Sequence, residues 1–256
     1  MILHPNLRFL ISVLSLVVLL TSCSNDKNPE FQIILCIGQS NMAGRADIPP
    51  QDTNTLQGIY LFNDKNEWEP AKNPLNRYST IRKEMSMQRL GPAWTFSQEL
   101  KEKYPDQHIG LVVNVRGGTS IDLWKKGSHY YYEAVIKALK AQKTGNLVGI
   151  IWHQGEADRN KSEGYTQKFS DMVRNLRLDL GVPDLPLVVG EIGDWKGNSK
   201  LINNQIRAIP DVVPLSRCVN VDGLDHMGDS LHFSAQAQHE LGRLYAHEFM
   251  QMVNLE

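Results

Sequence analysis

Two groups of residues, far apart in the chain, have the types and spacing of acyl-transfer chemistry. The first is Gly38-Gln39-Ser40-Asn41-Met42-Ala43-Gly44-Arg45, directly after the apolar run 31–37. A serine hydroxyl is a weak nucleophile until a neighbouring base takes its proton. Where a buried strand turns into a helix, Ser40 would expose its hydroxyl while its own backbone N–H faces a developing oxyanion. The familiar Gly-x-Ser-x-Gly elbow is not matched, because Met42 stands in place of the second glycine. The second group is Asp229-Ser230-Leu231-His232. Residues three apart in a turn share a face, so Asp229 would hold one ring nitrogen while the other addresses Ser40. The competing reading makes Asp229 a helix N-cap and His232 a structural residue. His153 is a rival base, set below His232 for want of a paired acid.

Two further segments end apolar runs with polar chemistry. In Val115-Arg116-Gly117-Gly118-Thr119-Ser120, the paired glycines let the backbone approach a ligand and turn an N–H inward, as an oxyanion hole requires. A tight turn is the plainer explanation. Trp152-His153-Gln154-Gly155-Glu156-Ala157-Asp158 brings an amide donor and two acids. Gln154 would donate to an oxyanion; Glu156 is either a second acid or a loop ligand.

The elements that must position these groups follow from hydrophobic patterning. Apolar runs recur at 31–37, 109–115, 147–152, 185–192 and 218–221. They are nearly continuous, as in strands buried on both faces of a parallel sheet. Helical spacing fills the intervals: 92–100, which opens with proline, then 131–139, 165–180, 199–209 and 234–252. Strands alternating with helices predict an α/β, doubly wound three-layer sandwich with right-handed crossovers. The segment 46–89 breaks the rhythm with prolines and charges, and contains a small hairpin, 59–63 against 67–69. It reads either as a binding loop or as surface decoration.

The chain has 256 residues, 41% hydrophobic and 21% charged, with a net charge of −1. That suits one globular domain over 31–256 and argues against nucleic acid, which demands a basic face. Residues 1–22 combine Arg8, an apolar stretch and small residues, the pattern of an export signal. Leu20-Thr21-Ser22-Cys23 resembles a bacterial lipobox, in which Cys23 becomes a lipidated N-terminus and 23–30 a polar tether. The expected location is the bacterial cell envelope, with the lipid as the only membrane contact. Cys36 and Cys218 lie in apolar runs and read as core. No zinc, thiol-redox or phosphate-binding motif occurs, so no metal and no cofactor is expected. Nothing in the sequence fixes an oligomeric state.

Taken together, Gly38 to Gly44, Gly117-Gly118-Thr119, Trp152 to Glu156 and Asp229-x-x-His232 resemble the sequence blocks of the SGNH hydrolase superfamily. More narrowly, they are similar to its sialate O-acetylesterase and acetylxylan-esterase-like branch of carbohydrate esterases. The resemblance covers nearly all of 31–256. It implies a flavodoxin-like α/β/α fold with a central, mainly parallel five-stranded sheet. It implies Ser40 as nucleophile, His232 as base and Asp229 as orienting acid. Its oxyanion hole would use the Ser40 N–H, an N–H at Gly117 or Gly118, and the Gln154 side chain, with Glu156 as accessory acid. The expected substrate is an acetylated carbohydrate, such as acetylated sialic acid or xylan, with Asn41, Arg45, Trp124 and the 46–89 segment as candidate contacts; Trp124 either stacks on a sugar ring or packs in the core. A lipid or thioester hydrolase of the same superfamily, or an idle glycan-binding surface protein, are the alternatives.

Overall fold

The computed structural model describes residues 30–255. The expected export signal, the lipidation site Cys23 and all of the tether but Glu30 lie outside the described residues. The run 31–37 forms strand β1 (Phe31–Gly38), followed by a short helix α1 (Ser40–Ala43). Then come β2 (Ile59–Phe62), β3 (Trp68–Pro70), α2 (Ala93–Lys103), β4 (His108–Val113), α3 (His129–Ala141) and β5 (Gly145–His153). The chain continues with α4 (Tyr165–Asp179), β6 (Leu187–Gly190), α5 (Lys200–Arg207), α6 (Ile209–Val212), β7 (Ser216–Val219) and α7 (Ala235–Met250).

Alternate residues of β1 enter two different cores, because successive side chains of a strand point to opposite faces. Ile33, Leu35 and Ile37 pack with Val112, Ile150 and Trp152 under α3, α4 and α5. Ile34 and Cys36 pack with Ile109, Leu111 and Ile151 under α2 and α7. Each helix supplies one stripe to this arrangement. In α4 the buried residues Tyr165, Phe169, Met172, Val173 and Leu176 recur at helical spacing. In α7 they include Leu241, Tyr245 and Phe249, four residues apart, behind a Ser234 cap that accepts the Ala237 N–H. Replacing a fully buried Trp152 or Phe249 by alanine would cost roughly 3–5 kcal/mol.

The sheet has seven strands in the order β3-β2-β4-β1-β5-β6-β7, against the five expected. The two additional strands are the hairpin 59–63/67–69, which extends the sheet instead of standing apart from it. β2 pairs in parallel with β4, and β3 runs antiparallel on the outer edge. Ile59, Leu61 and Phe62 are buried there, but four apolar residues inside a polar, proline-rich segment carry no periodicity that signals a sheet. The remaining pairings are parallel. Cys36 and Cys218 are both free thiols.

Register at the centre of the sheet sets the site. β1 and β5 end level, with Gly38 opposite His153, and the Gln39 N–H donates to the His153 carbonyl at 2.9 Å. A Cβ on Gly38 would lie 2.3 Å from that carbonyl oxygen, and its φ is +135°. Only glycine lets the strand turn sharply here, and the turn lifts Ser40 onto the carboxyl rim.

Candidate active site

Ser40 and His232, 192 residues apart in sequence, meet on this rim. Ser40 Oγ lies 3.1 Å from His232 Nε2, and His232 Nδ1 lies 2.6 Å from Asp229 Oδ2. An ionised carboxylate only accepts, so Nδ1 carries the proton and Nε2 is free to accept from the serine hydroxyl. Asp229 also caps its own turn: Oδ1 accepts the N–H groups of Leu231 at 2.9 Å and His232 at 2.8 Å. The helix that follows is capped separately, by Ser234. Burial pushes the Asp229 carboxyl up, but the His232 N–H, the His232 ring and the Leu231 N–H more than offset this and hold it below its usual range. The turn is tight enough to need Gly228 at φ +107° and Ser230 in the left-handed region at φ +53°.

These groups open into a pocket of about 370 Å³ whose lining includes Gln39, Arg45, Arg82, Gly117, Gly118 and Glu156. Gly117 packs onto Ser40: a Cβ there would stand 3.3 Å from Ser40 Cβ and 2.6 Å from Arg45 Nη2. Gly118 has φ +73° and faces open space. The glycine loop is anchored from below. Asn76 bonds both the N–H and the carbonyl of Val115 (3.0 and 3.1 Å), and Thr119 Oγ1 donates to Arg116 O at 2.9 Å. The 46–89 segment is therefore part of the site: Asn76 braces the loop, while Arg82 and Met87 line the pocket.

Arg45 reaches the pocket as expected. Its Nη1 is buried without a hydrogen-bond partner, and no carboxylate forms an ion pair with it among the described residues. Burial, then the charges of Arg82 and Arg89, lower its pKa. An arginine so placed presents a cation with unused donors beside Ser40.

Four expected site residues, Gln154, Trp124, Asn41 and Glu156, are placed differently. Gln154 is fully buried, and its amide nitrogen donates to Asp158 Oδ2 (2.5 Å), Thr119 O (2.9 Å) and Gln39 Oε1 (3.2 Å). Its carbonyl accepts from Tyr165 Oη at 2.8 Å. An amide with every donor engaged has none left for an oxyanion, so Gln154 braces the loops instead. Burial raises the Asp158 carboxyl, while Gln154 and the Ile121 N–H oppose that rise. Trp124 is 1% exposed and donates to Thr119 Oγ1 at 3.0 Å, with its ring edge-on to Trp152. It is core and presents no face to a sugar. Asn41 is also fully buried, its side-chain amide bonded to Glu156, Leu231 and Phe233. Glu156 lines the pocket, but its Oε1 accepts from Asn41 at 2.5 Å and it makes no hydrogen bond to His232. The rival base, His153, lies fully buried in the core with Nδ1 3.1 Å from the Tyr245 hydroxyl. Tyr245 donates to Trp152 O at 2.6 Å, so His153 Nδ1–H donates to it. Burial lowers the His153 pKa, with the Glu156 charge opposing.

The bracing role of Asn76 could not be read from its surroundings, since an asparagine after Asn73-Pro74 signals a turn. Gln39 was visible only as a neighbour of Ser40; its Oε1 accepts from both Gln154 and the Ala157 N–H.

Comparison with known proteins places this geometry in a family. The family described as carbohydrate esterase, sialic acid-specific acetylesterase, matches residues 30–251. A probable carbohydrate esterase of Arabidopsis thaliana is 30% identical over 245 residues, covering 87% of this chain and 91% of that protein. A crystal structure of an Arabidopsis thaliana protein superposes with a TM-score of 0.79 at 28% identity, covering 87% of this chain and 99% of that one. A carbohydrate acetylesterase from Xanthomonas citri shares the fold with a TM-score of 0.67 at 17% identity, covering 86% of this chain and 56% of that one. The seven-stranded, mainly parallel α/β sheet with helices on both faces is the fold that these solved structures share. The chain belongs to the carbohydrate esterase, sialic acid-specific acetylesterase family, and is a carboxylic ester hydrolase.

Proposed function

We propose that this protein removes O-acetyl groups from carbohydrate through an acetyl-serine intermediate. The observation that carries the reading is the pair of contacts at His232: 3.1 Å to Ser40 Oγ on one side and 2.6 Å to Asp229 on the other. Ser40 Oγ attacks the acetyl carbonyl while His232 Nε2 takes its proton. The negative charge that develops on the carbonyl oxygen is met by the Ser40 N–H and by an N–H of the Gly117-Gly118 turn, without Gln154. Collapse expels the sugar oxygen, which takes the proton from His232. Water then attacks the acetyl-Ser40 carbon, His232 accepts its proton, and acetate leaves as Ser40 is regenerated. Asp229 stays ionised and stabilises the imidazolium formed in each half.

We further propose that the sugar is acidic. A half-buried Arg45 beside Ser40, its Nη1 buried and unpaired, with Arg82 lining the same pocket, favours a substrate carboxylate over a neutral xylan chain. O-acetylated sialic acid meets that requirement. An export signal with lipid on Cys23 would place the enzyme where such glycans occur outside the cytoplasm.

Acetate release from O-acetylated sialic acid and from acetylated xylan tests both statements. Ser40→Ala should abolish release from either substrate. Arg45→Met should raise KM about tenfold or more for the acidic sugar and leave the xylan value nearly unchanged. Faster turnover of xylan by the wild type would overturn the acidic-sugar reading. An optimum at long acyl chains on aryl esters would favour a lipid hydrolase instead.

A further inference from the structure

The residue next to the nucleophile holds the base in place. Asn41 follows Ser40 directly, so its backbone moves with the nucleophile. Its side chain crosses to the turn that carries His232 and grips that turn on both sides of the histidine. Asn41 Nδ2 donates to the carbonyl of Leu231 at 3.2 Å, and Asn41 Oδ1 accepts the N–H of Phe233 at 3.1 Å. Among the described residues, the only other hydrogen bond between 38–45 and 226–234 is that of Ser40 with His232 itself. The second Asn41 amide hydrogen goes to Glu156 Oε1 at 2.5 Å. Two acceptors on one side and one donor on the other fix which end of the amide is nitrogen. Asn41 is fully buried, so water does not compete for these bonds. Gln238 Nε2 donates to the Asn41 carbonyl at 3.3 Å and ties the same residue to α7.

We propose that Asn41 is a positioning residue for this reaction, oriented by Glu156, and that it sets the Ser40–His232 distance. The proposal rests on Ser40 and His232 being the reacting pair. It gives Glu156 a role different from that of an acid supporting the imidazole: its carboxylate fixes the Asn41 amide. The amide in turn fixes the backbone of Leu231 and Phe233, between which His232 is suspended. Displacement of a catalytic group by about 1 Å costs on the order of a hundredfold in rate, so a clamp of this kind should act on turnover and scarcely on binding.

The test uses the full chain, with hydrolysis of an aryl acetate as the readout and the melting temperature of each variant as the folding control. Asn41→Asp keeps an acceptor for Phe233 but turns a carboxylate oxygen toward Glu156 and the Leu231 carbonyl. It should lower kcat about a hundredfold with KM changed less than about threefold. Glu156→Gln alone should lower kcat by about tenfold or less. In the double variant Asn41→Asp/Glu156→Gln the new amide donates to the new carboxylate. kcat should recover at least about tenfold over Asn41→Asp. Should Asn41→Asp not fold, Asn41→Ser supplies the readout, with kcat again falling and KM unchanged. A folded Asn41 variant with wild-type kcat, or a folded double variant no better than Asn41→Asp, would overturn the clamp. Ser40→Ala run alongside separates the two readings: activity surviving there would remove the nucleophile itself.

Discussion

Among the described residues, two histidine–carboxylate pairs share the same three-residue separation, one on the rim of the sheet and one in the layer just beneath it. Asp229 and His232 sit in an exposed turn and bond at 2.6 Å. His153 and Glu156 are buried and stand 3.9 Å apart, with His153 Nε2 lacking a hydrogen-bond partner. Chain geometry separates their fates. The upper pair lies in a turn that Asp229 itself closes, by accepting two backbone N–H groups. The lower pair straddles the end of β5, where Gly155 at φ +156° turns the chain between them. His153 then bonds to Tyr245 and Glu156 to Asn41, so each finds a different partner. Spacing brings two groups near one another; the direction of the backbone between them decides whether they meet.

The sharpest way to break this contrast is to remove the upper imidazole. His232→Ala should lower kcat by about 10³ to 10⁶, as removal of one member of a serine triad does elsewhere. Single-turnover acetate release would measure it. Asp229→Asn keeps Oδ1 as the acceptor of both turn N–H groups but removes the charge beside the His232 ring, and a fall of about 10² to 10⁴ in kcat is expected. His153→Ala should behave in the opposite way. It empties a fully buried site and should cost roughly 3 kcal/mol of stability, read by urea denaturation, while kcat of the folded protein stays within about tenfold. A loss comparable to that of His232→Ala would show that the buried pair takes part in the chemistry.

A smaller, pH-dependent effect tests the buried layer from another side. Lys137 on α3 donates to the carbonyls of Tyr78 (2.6 Å) and Val113 (3.3 Å), below the glycine loop. Burial lowers its pKa from 10.5 to about 8. Between those values the unfolded chain binds more protons than the folded one, so this group's contribution to stability rises with pH. Relative to Lys137→Met, the wild type should therefore gain about 2 to 3 kcal/mol between pH 7.5 and pH 10.5. Denaturation curves of both proteins at the two pH values measure the gain; an unchanged difference would mean that the ammonium is not buried.

Residue type and order alone determined much of this protein. Continuous apolar runs marked β1, β4, β5 and β6, because a strand buried on both faces has no polar side to interrupt it, while the edge strand β7, with Arg217 exposed, was marked only by the short run 218–221. Ser40, His232 and Asp229 stood out because their chemistry is scarce and their local settings, a strand end and a tight turn, are written in neighbouring residues. Tertiary structure decided what depends on long-range partners. The hairpin 59–63/67–69 joined the sheet only because β4 offered a free edge. Gln154, Asn41 and Trp124 carry groups suited to binding a sugar, yet each spends them on protein partners that sequence does not rank. Polar side chains bond with whatever the fold places within about 3 Å, and that neighbourhood is set by the packing of two cores rather than by the residue's own type.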